Sequence, residues 1–418
     1  MIKIEDKHKC CGCGACALAC PHGCITMRED GEGFLYPYVD EGLCVGCGLC
    51  EAVCPELNLP HAMSGEKPAV VAGQNAWGGQ TSALGAGIPE PLAVLAAKNS
   101  DDELRMSSSS GGVFTLLAEA VLSRGGVVFG AWTAEDLSVH HVCVECVGDL
   151  AALRGSKYVQ SVIGRTYEEA GHFLKSGREV LFSGTPCQIA GLRAYLRREY
   201  DNLLCVEVVC HGVPSYKVLM QYLSENFPDV KLTEVDFRNK RSGWKNYSVV
   251  VKGYADVSGE EVKVNEKMPY RKNHFMRGFL KDIFLRPSCY DCPFKAFASS
   301  ADITLGDCWG AEKFCPEMDD DKGLSLLILH SYRSELLVNE LIGNDLLSAE
   351  AVGLAEAVKY NPSIMIATAE PVERRKVFFA WDACSFNQKI DYLCKESLPV
   401  RWRRFKYEIK LKIRKFLK

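Results

Sequence analysis

The chain has 418 residues, 47% of them hydrophobic and 24% charged, with a formal net charge of −4. That balance belongs to a globular protein long enough for a large core plus smaller modules, and so mild a charge argues against a nucleic-acid binder. The 21 cysteines are the anomaly: too dilute for a disulfide scaffold and too many for packing alone, they point to metal.

The opening residues "MIKIEDKHKC" have no apolar targeting stretch, and no apolar run reaches the roughly 18 residues of a membrane span. A cytoplasmic location, where thiols stay reduced, is the expectation. Ten cysteines fall within the first 54 residues. Cys10, Cys13, Cys16 and Cys20-Pro21 are spaced as C-x2-C-x2-C-x3-C-P, and Cys44, Cys47, Cys50 and Cys54-Pro55 repeat that spacing. This is the bacterial ferredoxin run, in which the fourth cysteine ligates the other cluster of a pair. Cys10, Cys13, Cys16 and Cys54 are therefore assigned to one [4Fe–4S] cluster, and Cys44, Cys47, Cys50 and Cys20 to a second. Two zinc sites are the alternative, against which eight cysteines in two matched runs, each closed by Cys-Pro, weigh heavily. Cys11 and Cys24 fall outside the pattern and read as bystanders. Residues 1–58 are thus expected to form a two-cluster domain that stores and passes single electrons.

Residues 59–91, rich in Gly, Ala and Pro without a sustained period, read as a linker or surface excursion. "LAVLAAK" (92–98) predicts a buried strand. "SSSSGGVFTLLAEAVLSRGG" predicts a serine-rich helix start, an amphipathic helix and a glycine stop. Further strands follow at "VVFGAW", "EVLFSG" and "LLCVEVVC", with helices over "RTYEEAGHFLKSG" and "TPCQIAGLRAYLRREY", the latter with Pro186 in its first turn. This alternation predicts a large α/β domain with a mixed sheet behind the small ferredoxin-like one. Ligands gather at the carboxyl ends of strands in such sheets, and Ser107–Gly112, Cys187 and Cys210 fall there.

Cys187 and Cys210 follow consecutive strands, and the pair Cys289-x2-Cys292 arrives later, so four thiolates are available for a third [4Fe–4S] cluster, with Cys308 an alternative fourth ligand. The blander readings are buried thiols packing as small hydrophobes and half of a zinc knuckle. Cys143, Cys146, Cys205, Cys315, Cys384 and Cys394 have no such company. The serine–glycine turn at a helix start offers backbone N–H groups to a phosphate, although such a run is more often a plain cap. Lys157 adds a cation, while Tyr158 and Gln160 suit an aromatic heterocycle. Neither a GxGxxG after a strand nor a GxxxxGK[ST] loop occurs, so a standard dinucleotide or phosphate-loop site is not supported, and a flavin bound in another way is left open.

The stretches "SSSSGGVF", "GGVVFGA", "GSKYVQS", "LFSGTPCQIAGL", "CHGVPS", "FRNKRSGW", "SCYDCPFK" and "ADITLGD", in order across about 92–310, resemble the beta-subunit family of coenzyme F420 hydrogenases and dehydrogenases. The resemblance implies an FAD-binding α/β domain over 92–365, fed by iron–sulfur clusters, whose flavin exchanges hydride with F420 or, in a plant-type relative, acts on a chlorophyll-derived substrate. It implies Cys187, Cys210, Cys289 and Cys292 as ligands of the extra cluster. It also implies flavin contacts from Ser107, Ser108, Ser109, Ser110, Gly111 and Gly112, and from Gly155, Ser156, Lys157, Tyr158, Gln160 and Ser161. Cys308 stands in "GDCWG" where family members usually carry an aromatic residue.

The expected activity is that of an iron–sulfur flavoprotein oxidoreductase, passing electrons from the ferredoxin clusters through the third cluster to FAD and on as hydride to F420 or another acceptor. The alternative is an electron-transfer subunit of a larger redox complex, and a third reading is a redox-sensing module. Either way a redox partner protein (a ferredoxin, hydrogenase or dehydrogenase subunit) is expected. His211 and His274 are candidates for protonating a substrate, and the basic "NKRSGWK" (239–245) for meeting an acidic cofactor tail. Residues 366–418 read as a helical basic tail. Within it, 401–418 has one apolar face that suits a membrane surface, an acidic partner or its own domain.

Overall fold

The computed structural model describes residues 1–59, 71–74, 80–83, 90–378 and 384–395. The basic stretch 401–418 and most of the 59–91 stretch lie outside them. In the first unit, helix α1 (Ala15–Leu18) precedes an antiparallel pair, β1 (Ile25–Glu29) with β2 (Leu35–Val39), and helix α2 (Leu49–Ala52) follows. Each helix enters from a left-handed glycine, Gly14 at φ 76° and Gly48 at φ 75°, a conformation that costs a residue with a Cβ about 1–2 kcal/mol. The turn places Cys16 and Cys50 in the helices, where they are buried with Ile2, Ile25, Cys24 and Cys54.

The stretch expected to be a linker carries two short paired strands, β3 (Val71–Gln74) and β4 (Gln80–Ala83). Strands β5 (Ala93–Asn99), β6 (Val127–Thr133), β7 (Val139–Val144), β8 (Val180–Gly184) and β9 (Leu203–Val208) follow. Next come β10 (Val230–Asn239), β11 (Ser248–Val257) and β12 (Glu260–Pro269), which form an antiparallel sheet of their own. The chain then returns with β13 (Ile303–Asp307), β14 (Ser325–Leu329) and β15 (Leu347–Ala351) to complete an eight-stranded sheet in the order β15-β5-β14-β13-β9-β8-β6-β7. The inner strands β13, β9, β8 and β6 are parallel, and antiparallel strands flank them on both sides. The mixed sheet is therefore as expected. Every residue of β8 and β14 is buried, as strands covered on both faces require.

Helices α3 (Asp102–Ser107) and α4 (Val113–Ser123) flank the serine run. The run is not the helix start that was expected. Ser107 and Ser108 donate back to the Leu104 carbonyl and close α3, whereas α4 begins at Gly112, left-handed at φ 79° and without a side-chain cap. Gly111 is forced by crowding: a Cβ there would stand 2.5 Å from the Ala97 carbonyl oxygen. Helices α5 (Thr166–Lys175) and α6 (Pro186–Leu196, with Pro186 in its first turn) match the expected spans. The helix Phe386–Leu393 is no separate tail, because Phe386 and Ile390 are buried against Phe275 and Phe284.

One face of the large sheet packs Leu95, Val128, Leu181 and Leu327 against Leu117 and Val121 of α4. The other face carries Phe129 and Phe182, with ring centroids 5.4 Å apart, beneath Tyr167, Ile189 and Leu192. Each large side chain removed from water there contributes about 1.5–3 kcal/mol. Cys11, Cys13, Ala15 and Val53 of the first unit belong to this same core, so the ferredoxin-like unit is packed onto the sheet's helices. Arg374, itself buried, clamps the unit further through Glu32, and Ser215 Oγ donates to the Glu32 carbonyl at 2.6 Å.

Candidate iron–sulfur and cofactor sites

The cysteines of the first two runs flank α1 and α2. Loss of water pushes the Cys16 thiol up to about 12, with Cys10, Cys54 and Cys50 as its charged neighbours. Burial likewise raises Cys54, which faces Cys10. Cys13 sits against α6, where a Cβ on Gly191 would stand 2.8 Å from its own Cβ. A pocket beside β1 is lined by Cys20, Cys44, Cys47 and Cys50. Cys24 lines it too, its Sγ 3.2 Å from that of Cys20. Among the described residues no three His, Cys, Asp or Glu side chains converge on one point as ligands of a single ion would; a cubane instead keeps its four thiolates apart at its corners.

The third set gathers at the carboxyl edge of the parallel strands. Cys187 lies in the first turn of α6, directly after β8, and Cys210 follows β9. Cys289 and Cys292 bracket a tight turn that opens at Pro287. Desolvation raises Cys210, Cys289 and Cys292, each of which has Cys187 among its charged neighbours, while Cys187 is raised first by the adjoining Cys11 and then by burial. The buried Lys295 closes one side, its ammonium donating to the Cys210 carbonyl at 2.5 Å and to the Ser363 carbonyl at 2.8 Å. Cys308, the alternative ligand, is elsewhere: it lies beside Cys315 in the core that packs on β5 and β14 and includes Trp244. Cys11 joins the sets, because its buried thiol adjoins those of both Cys187 and Cys13.

At the same sheet edge, beyond β5 and β13, the serine turn meets the "GSKYVQS" stretch. Ser156 Oγ donates to Ser109 Oγ at 2.8 Å. Arg238 forks onto Asp307 at 2.9 and 3.2 Å, and its NH1 donates to the Tyr158 hydroxyl at 3.3 Å. Its guanidinium lies 4.5 Å from the Tyr247 ring centroid and 5.3 Å from that of Trp309. Lys240 donates to the carbonyls of Ser110 at 2.7 Å and Lys322 at 2.8 Å, and burial beside Arg105 and Arg238 pushes it down to about 7. Lys157 bonds the carbonyls of Leu153, Arg154 and Gly155, and desolvation pushes it down to about 8. Arg154 Nε donates to Thr115 Oγ1 at 3.2 Å, in the first turn of α4.

The edge thus gathers arginines and lysines, and the buried Nε of Arg238 has no hydrogen-bond partner among the described residues. An orphaned donor among arginines and lysines at a helix start suits a diphosphate-bearing cofactor. FAD fits these residues.

Two expected flavin contacts are used elsewhere. Gln160 Nε2 donates to the Cys11 carbonyl at 2.8 Å, so this side chain secures the ferredoxin-like unit. Ser161 Oγ donates to His141 Nδ1 at 2.9 Å and accepts from Gln188. The basic stretch 239–245 is also engaged, for Lys245 pairs with Asp319 and Glu312 and Lys240 is buried. His211 is bound to Asp282 at 2.5 Å and His274 lies 3.3 Å from Asp391. Sequence reasoning missed Arg238, Lys295, Asp307 and Trp309; "FRNK", "CPFK" and "GDCWG" held them in plain view, but their placement is a property of the sheet edge.

Residues 177–353 match the family described as the C terminus of the beta subunit of coenzyme F420 hydrogenase/dehydrogenase. Residues 9–57 match the 4Fe–4S dicluster domain. A chain of the F420-reducing [NiFe] hydrogenase complex from Methanosarcina barkeri is similar at 17% identity and a TM-score of 0.44, over 68% of this chain and 97% of that one. No curated protein matches. Among the described residues no helix is long and apolar enough to cross a membrane. The chain thus carries, in order, a match to a 4Fe–4S dicluster domain and a match to the C terminus of the coenzyme F420 hydrogenase/dehydrogenase beta subunit.

Proposed function

We propose that this protein is an iron–sulfur flavoprotein oxidoreductase that carries electrons between its dicluster domain and a hydride-exchanging substrate. When bound, [4Fe–4S] clusters supply one-electron transfer and FAD converts electron pairs into hydride. Cys10, Cys13, Cys16 and Cys54 hold the first cluster, Cys20, Cys44, Cys47 and Cys50 the second, and Cys187, Cys210, Cys289 and Cys292 the third. The observation that carries this reading is their contiguity: the buried Cys11 thiol adjoins Cys187 on one side and Cys13 on the other.

Ser109, Ser156, Lys157, Arg238 and Lys240 bind the cofactor's diphosphate, while Tyr158 and Trp309 present aromatic faces to its rings. The wall between the third cysteine set and this site is aromatic. The His211 ring lies 5.2 Å from Phe279, and Phe279 lies 4.7 Å from Tyr158. These rings exclude water along that line. F420, or another acceptor of hydride, is the substrate class.

A second reading, an electron-transfer subunit with no substrate chemistry of its own, is favoured by the family's description as a beta subunit. Iron, acid-labile sulfide and flavin are to be counted on protein purified without oxygen. About twelve irons with one FAD per chain supports the enzyme reading. About eight irons and no flavin after reconstitution defeats it. Reduction of a hydride acceptor by the isolated chain then separates the enzyme from the subunit.

A further inference from the structure

Arg286 is fully buried, and its guanidinium is where three parts of the chain meet. Nε donates to the Cys10 carbonyl at 2.7 Å, NH1 to Gln160 Oε1 at 3.0 Å, and NH2 to the Leu35 carbonyl at 2.9 Å. NH2 also reaches Cys10 Sγ at 3.7 Å. The guanidinium lies 4.3 Å from the Tyr36 ring centroid, and the Arg286 carbonyl accepts from Cys289 N at 2.9 Å, opening the turn that carries Cys289 and Cys292. Gly12 has no Cβ for the same reason: one there would stand 2.6 Å from Arg286 NH1.

Among the described residues no carboxylate lies within ion-pair distance of this guanidinium; its nearest charged neighbours are Cys10, Tyr36, Cys11 and Cys289, and the Glu56 carboxylate feels its charge only from farther off. A buried cation with no anion in contact is strongly disfavoured. Four thiolates around an iron–sulfur core make a net anion, and reduction makes it more negative. A cation and an N–H donor at a ligand sulfur stabilise that reduced form.

We propose that Arg286 is the positioning residue that supplies the counter-charge to the cluster held by Cys10, Cys13, Cys16 and Cys54, raises its reduction potential, and keeps it facing the Cys289–Cys292 turn. The proposal rests on the reading that those four cysteines hold a cluster. Arg286 is three residues before Cys289, so one side chain ties the dicluster domain to the third set and biases electrons toward the cluster beside it. Gln160 completes the device by bridging NH1 to the Cys11 carbonyl.

The test is a redox titration, monitored by electron paramagnetic resonance, of the full chain purified without oxygen, with iron counted on every sample. Arg286→Gln removes the charge, Arg286→Lys keeps it, and Gln160→Glu leaves the arginine in place but neutralises it. In Arg286→Gln and Gln160→Glu, one cluster signal is expected to move to a more negative potential while the others stay in place, with iron retained. In Arg286→Lys the shift is expected to be smaller. Full iron with every potential unchanged in Gln160→Glu overturns the proposal, even if Arg286→Gln fails to fold. A wild-type protein without iron would instead defeat the cluster assignment itself, a result that the iron count reads before any variant is made.

Discussion

Gly191 meets Cys13 so closely that a Cβ on the glycine would stand 2.8 Å from the cysteine Cβ and 3.1 Å from its sulfur. The same added atom would lie 2.8 Å from the Tyr167 hydroxyl, which donates to the Gln188 carbonyl at 2.8 Å inside α6. Helix α6 therefore carries Cys187 at its start and supports Cys13 on its side. Gly191→Ala is expected to cost about 1–3 kcal/mol as an overpacked core. It should also lower iron by up to about four per chain, one cubane's worth. Thermal melts and iron assays check this, and unchanged iron would show that the unit docks more loosely than the geometry requires.

The location of Cys308 separates it from the third cysteine set. Cys289→Ser and Cys210→Ser are each expected to lower iron from about twelve to about eight per chain. Cys308→Ser should leave it unchanged, since that thiol packs against Cys315. Equal losses in Cys308→Ser and Cys289→Ser would refute the grouping.

Much of this was legible in the sequence, and the reasons differ by element. The ferredoxin runs were readable because cluster ligation fixes residue type and spacing together, and the turns of α1 and α2 need only local glycines. Strands β8 and β9 and helices α5 and α6 were readable from apolar runs and from Pro186 and Gly177. The role of the serines was not. A run of Ser before Gly-Gly is a cap by local rules, but here Gly111 must slide under the Ala97 carbonyl, and that contact belongs to the sheet. Gln160 fails similarly: a polar residue in a motif suggests a ligand, and only the docking of the dicluster domain shows that it holds the Cys11 carbonyl.

Arg238 has two roles in the cationic site, a fork onto Asp307 and an orphaned Nε. Arg238→Lys keeps the charge but loses the fork. The loss of one charge-assisted hydrogen bond, about 1.5–3 kcal/mol, should weaken flavin retention roughly tenfold to a hundredfold, while iron stays constant. Flavin released on gel filtration, read by absorbance against iron content, checks it. Flavin bound as tightly as in the wild type would remove Arg238 from the site.

His141 makes the fold acid-sensitive. Its ring is stacked on Phe182 with centroids 5.4 Å apart, and its Nε2–H donates to the Ser183 carbonyl at 2.9 Å while Nδ1 accepts from Ser161. Both bonds belong to the neutral imidazole, and desolvation pushes the group down to about 4. His330, whose Nε2 donates to Thr304 Oγ1 at 2.8 Å, is likewise pushed down to about 4. The unfolded chain takes up these protons near 6.5 but the folded one only near 4, so the unfolded state binds more protons within that window. Stability is then full above about pH 6.5, falls as pH drops towards 4, and levels off below it. The loss is on the order of 3 kcal/mol for His141, and smaller for the partly exposed His330. His141→Gln can keep both hydrogen bonds and does not titrate, so the difference between variant and wild type should shrink steadily from pH 7 to pH 4.5. Anaerobic denaturant midpoints across that range decide the matter, and parallel losses in the two proteins would mean that His141 is already charged in the fold.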